Sequence, residues 1–113
     1  MDGIAAVIIN KALDGLALRA QATAQNIAAA GSRDFRAVQV DFEDSLRAAA
    51  ARGGDAVRDM DLRMTSVAPS PLGPEPRLDL ELATASETAL RYQALLDVLG
   101  RQMQIARTVV RPG

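Results

Sequence analysis

The sequence predicts a mainly α fold: long antiparallel N- and C-terminal helices forming a coiled-coil-like hairpin, joined by a short helix and an irregular or extended middle segment. Two unbroken heptad stripes at the chain ends and a change of periodicity between them carry this prediction. The first stripe is Ala6, Ile9, Leu13, Leu16, Ala20, Thr23, Ile27 and Ala30, in alternating three- and four-residue steps with no proline from Asp2 to Ala30. A helix there is about 40 Å long at 1.5 Å per residue, with Gly31 placed to end it in a left-handed conformation. Gly15 lowers its intrinsic helicity.

The second stripe is Ala85, Ala89, Tyr92, Leu96, Leu99, Met103, Ala106 and Val110. Asp79 and Glu81 are expected at the N-terminal end of this helix and Arg107 and Arg111 at its C-terminal end, each sign matching the helix dipole. Glu87 with Arg91 and Asp97 with Arg101 are spaced as i,i+4 ion pairs. Between the stripes, Asp41 is expected to cap an alanine-rich helix that Gly53-Gly54 ends. Met60, Leu62 and Met64 alternate with Asp61 and Arg63, the period of two of an extended segment. The chain therefore divides into residues 1–31, the N-terminal helix of a hairpin domain; 32–78, a connection with a short helix at about 41–52 and a Pro-rich loop at 69–76; and 79–113, the C-terminal helix.

Composition limits the function. Of 113 residues 22 are alanine and three are aromatic, so the 49% apolar content is mostly small groups. Burying an Ala methyl removes less apolar surface than burying Leu or Phe, so stability is expected from long helix contacts or from neighbouring subunits. The net charge of -1 offers no basic face for a phosphate backbone, and nucleic acid is not an expected partner. The chain has no histidine, cysteine or tryptophan, which removes the usual general base, the thiolate and the strongest nitrogen and sulfur metal ligands. No catalytic site, cofactor, metal or small-molecule substrate is expected, and the chain is read as not an enzyme. Asp41, Glu43 and Asp44 lack calcium-loop spacing and read as helix N-terminal charge. Met60, Met64 and Met103 read as packing fillers.

Two segments resemble a known family. The first is Ala24-Gln25-Asn26-Ile27-Ala28-Ala29-Ala30-Gly31-Ser32-Arg33-Asp34-Phe35-Arg36-Ala37, continued by Val40-Asp41-Phe42-Glu43 and Leu46. The second is Glu87-Thr88-Ala89-Leu90-Arg91-Tyr92-Gln93-Ala94-Leu95-Leu96, preceded by Leu78-Asp79-Leu80-Glu81. Together they resemble the bacterial flagellar axial (rod) protein family, the Val-Asp-Phe-Glu stretch pointing to its proximal-rod branch. Ala29, Arg33-Asp34 and Thr88 depart from the family's Asn, Pro-Gly and Asn at those places.

The resemblance implies a structural subunit of the flagellar basal-body rod, exported from the cytoplasm by the type III route without a cleaved signal peptide and assembled in the periplasm. It implies a hetero-oligomeric helical tube with other rod proteins, membrane-ring proteins and export-gate or adaptor proteins, serving motility by transmitting torque. Helix pairing and subunit contact are then expected at Ile9, Leu13, Leu16, Ile27, Tyr92, Leu96, Leu99 and Met103, small alanines allowing close approach. Asn26 is open to two readings, a bond to the turn backbone or a neighbouring subunit, or a solvated helix-end amide. The other open readings are a different rod or export-gate adaptor protein and a free-standing helical adaptor module.

Overall fold

Residues 3–32, 36–68 and 75–110 are described by a computed structural model. The expected turn at Arg33-Asp34, positions 69–74 of the Pro-rich loop and the Arg111-Pro112-Gly113 end lie outside them. Chain order is α1 (Gly3–Ala28), β1 (Val38–Gln39), α2 (Glu43–Arg52), α3 (Gly54–Asp59), β2 (Thr65–Ser66) and α4 (Glu75–Val110). The protein is mainly helical, with the long N- and C-terminal helices packed together and one small two-stranded sheet.

Several boundaries differ from the sequence reading for local reasons. Gly31 does not take a left-handed conformation; α1 instead frays through the Ala30 N–H to Ile27 (3.4 Å) and Ser32 N–H to Ala29 (3.0 Å) backbone bonds. Phe42, not Asp41, stands at the start of α2, without a side-chain cap. The Asp41 carboxylate accepts from Gln39 at 2.9 Å, while Glu43 reaches back to the Phe42 N–H at 3.3 Å. Gly53 does end α2, at φ 120°, and α3 follows at once. α4 begins at Glu75, so Asp79 and Glu81 lie inside it rather than at its end. Pro76 is compatible with the first turn, where its missing N–H would have had no helical partner.

β1 pairs antiparallel with β2, Val38 opposite Ser66 and Gln39 opposite Thr65. Before β2 the expected alternation is present: Met60, Leu62 and Met64 are half-buried, Asp61 and Arg63 exposed. That stretch is extended, and the paired strand itself lies just beyond it.

The core lies between α1 and the middle of the chain. Leu16 and Ala22 of α1 meet Val40, Phe42, Leu46, Ala49 and Val57, with Val57 fully buried. Gly15 belongs to this contact. A Cβ there would stand 2.7 Å from the Phe42 ring, itself 4% exposed, so the helix accepts a residue of low propensity to let an aromatic ring lie against its backbone. Lys11 joins the same side by donating from Nζ to the Arg58 and Met60 carbonyls at 3.0 and 2.9 Å.

α4 adds no residue to the fully buried apolar core; Tyr92 and Leu95 only pack partly against it. The result is an elongated slab of 63 × 27 × 16 Å.

A polar clasp as candidate functional site

The seam of α1 and α4 runs with opposite chain directions, Asn26 near the end of α1 meeting Glu81 near the start of α4. Asn26 is 3% exposed. Its Nδ2 donates to the Val38 carbonyl at 2.8 Å and to Glu81 Oε1 at 2.9 Å, and its Oδ1 accepts the Val38 N–H at 2.9 Å. The solvated reading of Asn26 is thereby overturned in favour of the backbone bond. An amide is suited to this place because it carries a donor and an acceptor side by side, as a strand backbone does. Alternate residues of a strand present their backbone groups to opposite sides. Ala37 and Gln39 turn their carbonyls to β2, and Val38 and Val40 turn theirs to α1, where side chains replace a third strand.

Arg19 completes that edge. Nε and Nη2 donate to the Val40 carbonyl at 3.1 and 2.6 Å, while Nη1 and Nη2 grip both oxygens of Glu43 at 2.8 and 2.6 Å. Its guanidinium carbon lies 4.9 Å from the Phe42 ring centre, a cation–π contact on the ring that covers Gly15. Arg91 of α4 reaches the same carboxylate at 3.4 Å and its helix neighbour Glu87 at 2.7 Å. The bonds from Arg19, with the Phe42 N–H, hold the Glu43 carboxyl down to about 2 against the opposing effect of its partial burial. The i,i+4 pair Glu87–Arg91 thus forms, whereas Asp97 is approached by Gln93 at 3.5 Å.

A cleft of about 400 Å³ opens over this clasp, lined by Arg19, Glu43, Glu81, Glu87 and Arg91. At its base Thr23 and Thr88 are buried, 3% and 4% exposed, and neither hydroxyl has a hydrogen-bond partner among the described residues. The cleft's two guanidinium groups are both engaged by carboxylates, Arg19 by Glu43 and Arg91 by Glu43 and Glu87. Among the described residues no cluster of three or more possible ligands is placed to hold a metal ion, and no helix is long and apolar enough to cross a membrane.

The expected contact residues divide by burial. Leu13 and Leu16 are buried, Ile9, Ile27, Tyr92 and Leu99 half-buried, and Leu96 and Met103 are 40% and 48% exposed. Ala20 and Ala89, expected to lie inside a tight seam, are exposed on an apolar groove of about 490 Å³ that runs along it beside Ile27 and Tyr92. The Tyr92 hydroxyl has no hydrogen-bond partner among the described residues. Outside the groove, Leu78 and Leu82 extend the α4 stripe by one heptad toward its start and are 38% and 50% exposed. Leu80, Leu90, Val98 and Ile105 add further exposed apolar groups.

Glu43, read from sequence as helix N-terminal charge, is instead the carboxylate that Arg19 and Arg91 share, and Arg19, 24 residues earlier, has no spacing signal that pairs it with Glu43. In comparisons with known proteins, no protein-family model and no curated protein sequence matches this chain.

Proposed function

We propose that this protein is a structural subunit of a bacterial flagellar rod, of the FlgB-type proximal-rod kind, whose terminal helices form a coiled-coil-like hairpin that packs against neighbouring subunits. The observation that carries the reading is the convergence of the resemblance segments on one clasp. Asn26 of the first segment bonds Glu81 of the C-terminal one, and Glu43 of the continuation, which accepts the Phe42 N–H, pairs with Arg91 of the C-terminal one. Residues that recur together for a physical reason are expected to touch, and here those that carry the likeness do.

The surface supports assembly. A compact monomer of 11.9 kDa exposes roughly 5,900 Å², and this chain exposes 7842 Å². Much of the apolar part lies along α4, where Leu82, Leu90, Leu96, Met103 and Ile105 each keep 40% or more of their surface in water. Patches of this kind mark contact with other chains. Subunits related by a rotation that does not close make a helical tube, which is the architecture a torque-bearing rod needs. In this reading the chain leaves the cytoplasm by type III export and meets other rod, ring and export-gate proteins in the periplasm.

The test is the double variant Leu96→Asp, Met103→Asp, whose two side chains sit one heptad apart on the α4 stripe and are 40% and 48% exposed. Purified variant should keep its helical circular dichroism, yet be missing from isolated basal bodies, leaving cells non-motile. Normal swimming by that variant, or absence of the unaltered chain from basal bodies, would overturn the proposal.

A further inference from the structure

We infer that α4 exchanges between copies of this chain, the α1 seam of one copy accepting the α4 of a second in place of its own. The inference rests on the assembly reading only in requiring that copies meet. Its grounds are the unequal ways in which α4 and the rest of the chain are held.

Among the elements, α4 packs its length on α1 alone and reaches the remainder through side chains such as Tyr92, Leu95 and Arg91. The apolar core of α1, β1, α2 and α3 closes around Val40, Phe42 and Val57 with no fully buried apolar residue from α4. Departure of α4 therefore uncovers the Leu16 side of that core but removes none of its fully buried apolar side chains among the described residues. The seam it leaves is flanked by two clefts, both lined by Thr23 of α1 and Thr88 of α4, so the two helices are not in contact across its whole width.

What directs α4 back to an α1 is chemical complementarity: Glu81 to Asn26 and Arg91 to Glu43. These partners are the same whichever copy supplies the helix, so exchange loses no contact, which is the condition for swapping an element between identical chains. Association adds something the single copy lacks. One chain exposes roughly 1,900 Å² more than a compact chain of its mass, against the ~1,600 Å² of total surface that a stable interface buries. Leu82, Leu90 and Ile105 of α4 are exposed and available to a second copy.

The chain has no cysteine, so two introduced thiols are unique. Ala20 and Ala89 are exposed and line the same groove from α1 and α4 respectively. Isotopically heavy Ala20→Cys chain is mixed with light Ala89→Cys chain, incubated, and joined with a short bismaleimide. Exchange predicts heavy–light products in excess of heavy–heavy and light–light ones, rising about tenfold for each tenfold in concentration while the chain is dilute. A heavy–light product no more abundant than the same-mass products at every concentration overturns the inference. Hydrogen exchange on the unaltered chain gives a second reading that needs no variant. The α4 amides should exchange ahead of those of α1 and α2, and equal protection of α4 overturns the inference as well. Loss of the heavy–light product while the chain still enters the rod removes arm exchange alone; exchange with no chain in the rod removes the assembly reading alone.

Discussion

α1 and α4 carry the same kind of apolar repeat and use it in opposite ways. α1 has neighbours on two sides: Leu16 and Ala22 close on Phe42, Val40 and Val57, and Thr23 and Ile27 face α4. α4 has a neighbour on one side only, and Leu90 stands 73% exposed in the middle of it. A heptad stripe states that one face of a helix is apolar, and whether the covering surface belongs to the same chain depends on what else the chain folds there. Here the middle segment covers α1, while among the described residues α4 lies mainly on α1 and touches the middle segment through side chains such as Arg91.

The sharpest way to break this contrast is to cut an apolar side chain on each side of it. Phe42→Ala empties a ring-sized space beneath Arg19 and beside Gly15, and should lower the stability measured by urea unfolding by about 3–5 kcal/mol. Leu90→Ala removes surface already in water and exchanges one good helix former for another, so less than about 0.5 kcal/mol is expected. Equal losses from the two would mean that α4 is as deeply anchored as the middle segment.

The contrast also explains what could be read in advance. Helices at both ends follow from their stripes, Gly53 marks its stop, and the alternation of Met60, Leu62 and Met64 is seen in their burial. β1 was hidden because its pattern spans only Val38 to Phe42, too short to stand out before a helix. Glu75-Pro76 looked like part of a breaker, although a proline in a first turn is compatible with helix. Gly15 reads in sequence only as lost helicity, since the ring that requires it comes 27 residues later. The partners of Asn26 are likewise unreadable, Glu81 lying 55 residues away and the Val38 backbone having no side-chain signature.

Asn26→Ala tests the clasp that spans both regions. It removes the Asn26 partner of the half-buried Val38 N–H and carbonyl and frees Glu81. A loss of about 2–3 kcal/mol is expected, with faster hydrogen exchange at the Val38 amide and along the first turns of α4. A loss confined to α4, with Val38 still protected, would show that β1 is held by β2 alone.

The smallest expected effect is electrostatic, and it acts where the two regions share one carboxylate. Glu43 holds its proton less tightly in the folded chain, at about 2, than the ordinary carboxyl at 4.5. Between those values the unfolded chain binds the extra proton, so stability rises with pH across that window and is level above it. Acidification from pH 6 through 4.5 toward 2 therefore removes this contribution. The Glu43 side chain is 42% exposed, which screens its pairing with Arg19 and Arg91, and about 1 kcal/mol is expected in place of the larger value that the shift alone implies. Glu43→Gln lacks this titration while the other carboxyls stay common to both chains. The stability gap between wild type and Glu43→Gln, followed by urea unfolding, should be widest near pH 6 and narrow as pH falls below 4.5. Addition of 0.5–1 M salt, at a Debye length of roughly 3–4 Å, should narrow it at pH 6. A gap that stays constant down to about pH 2.5 would assign Glu43 a role of shape and not of charge, and Arg91 would then be tied to the middle segment by contact alone.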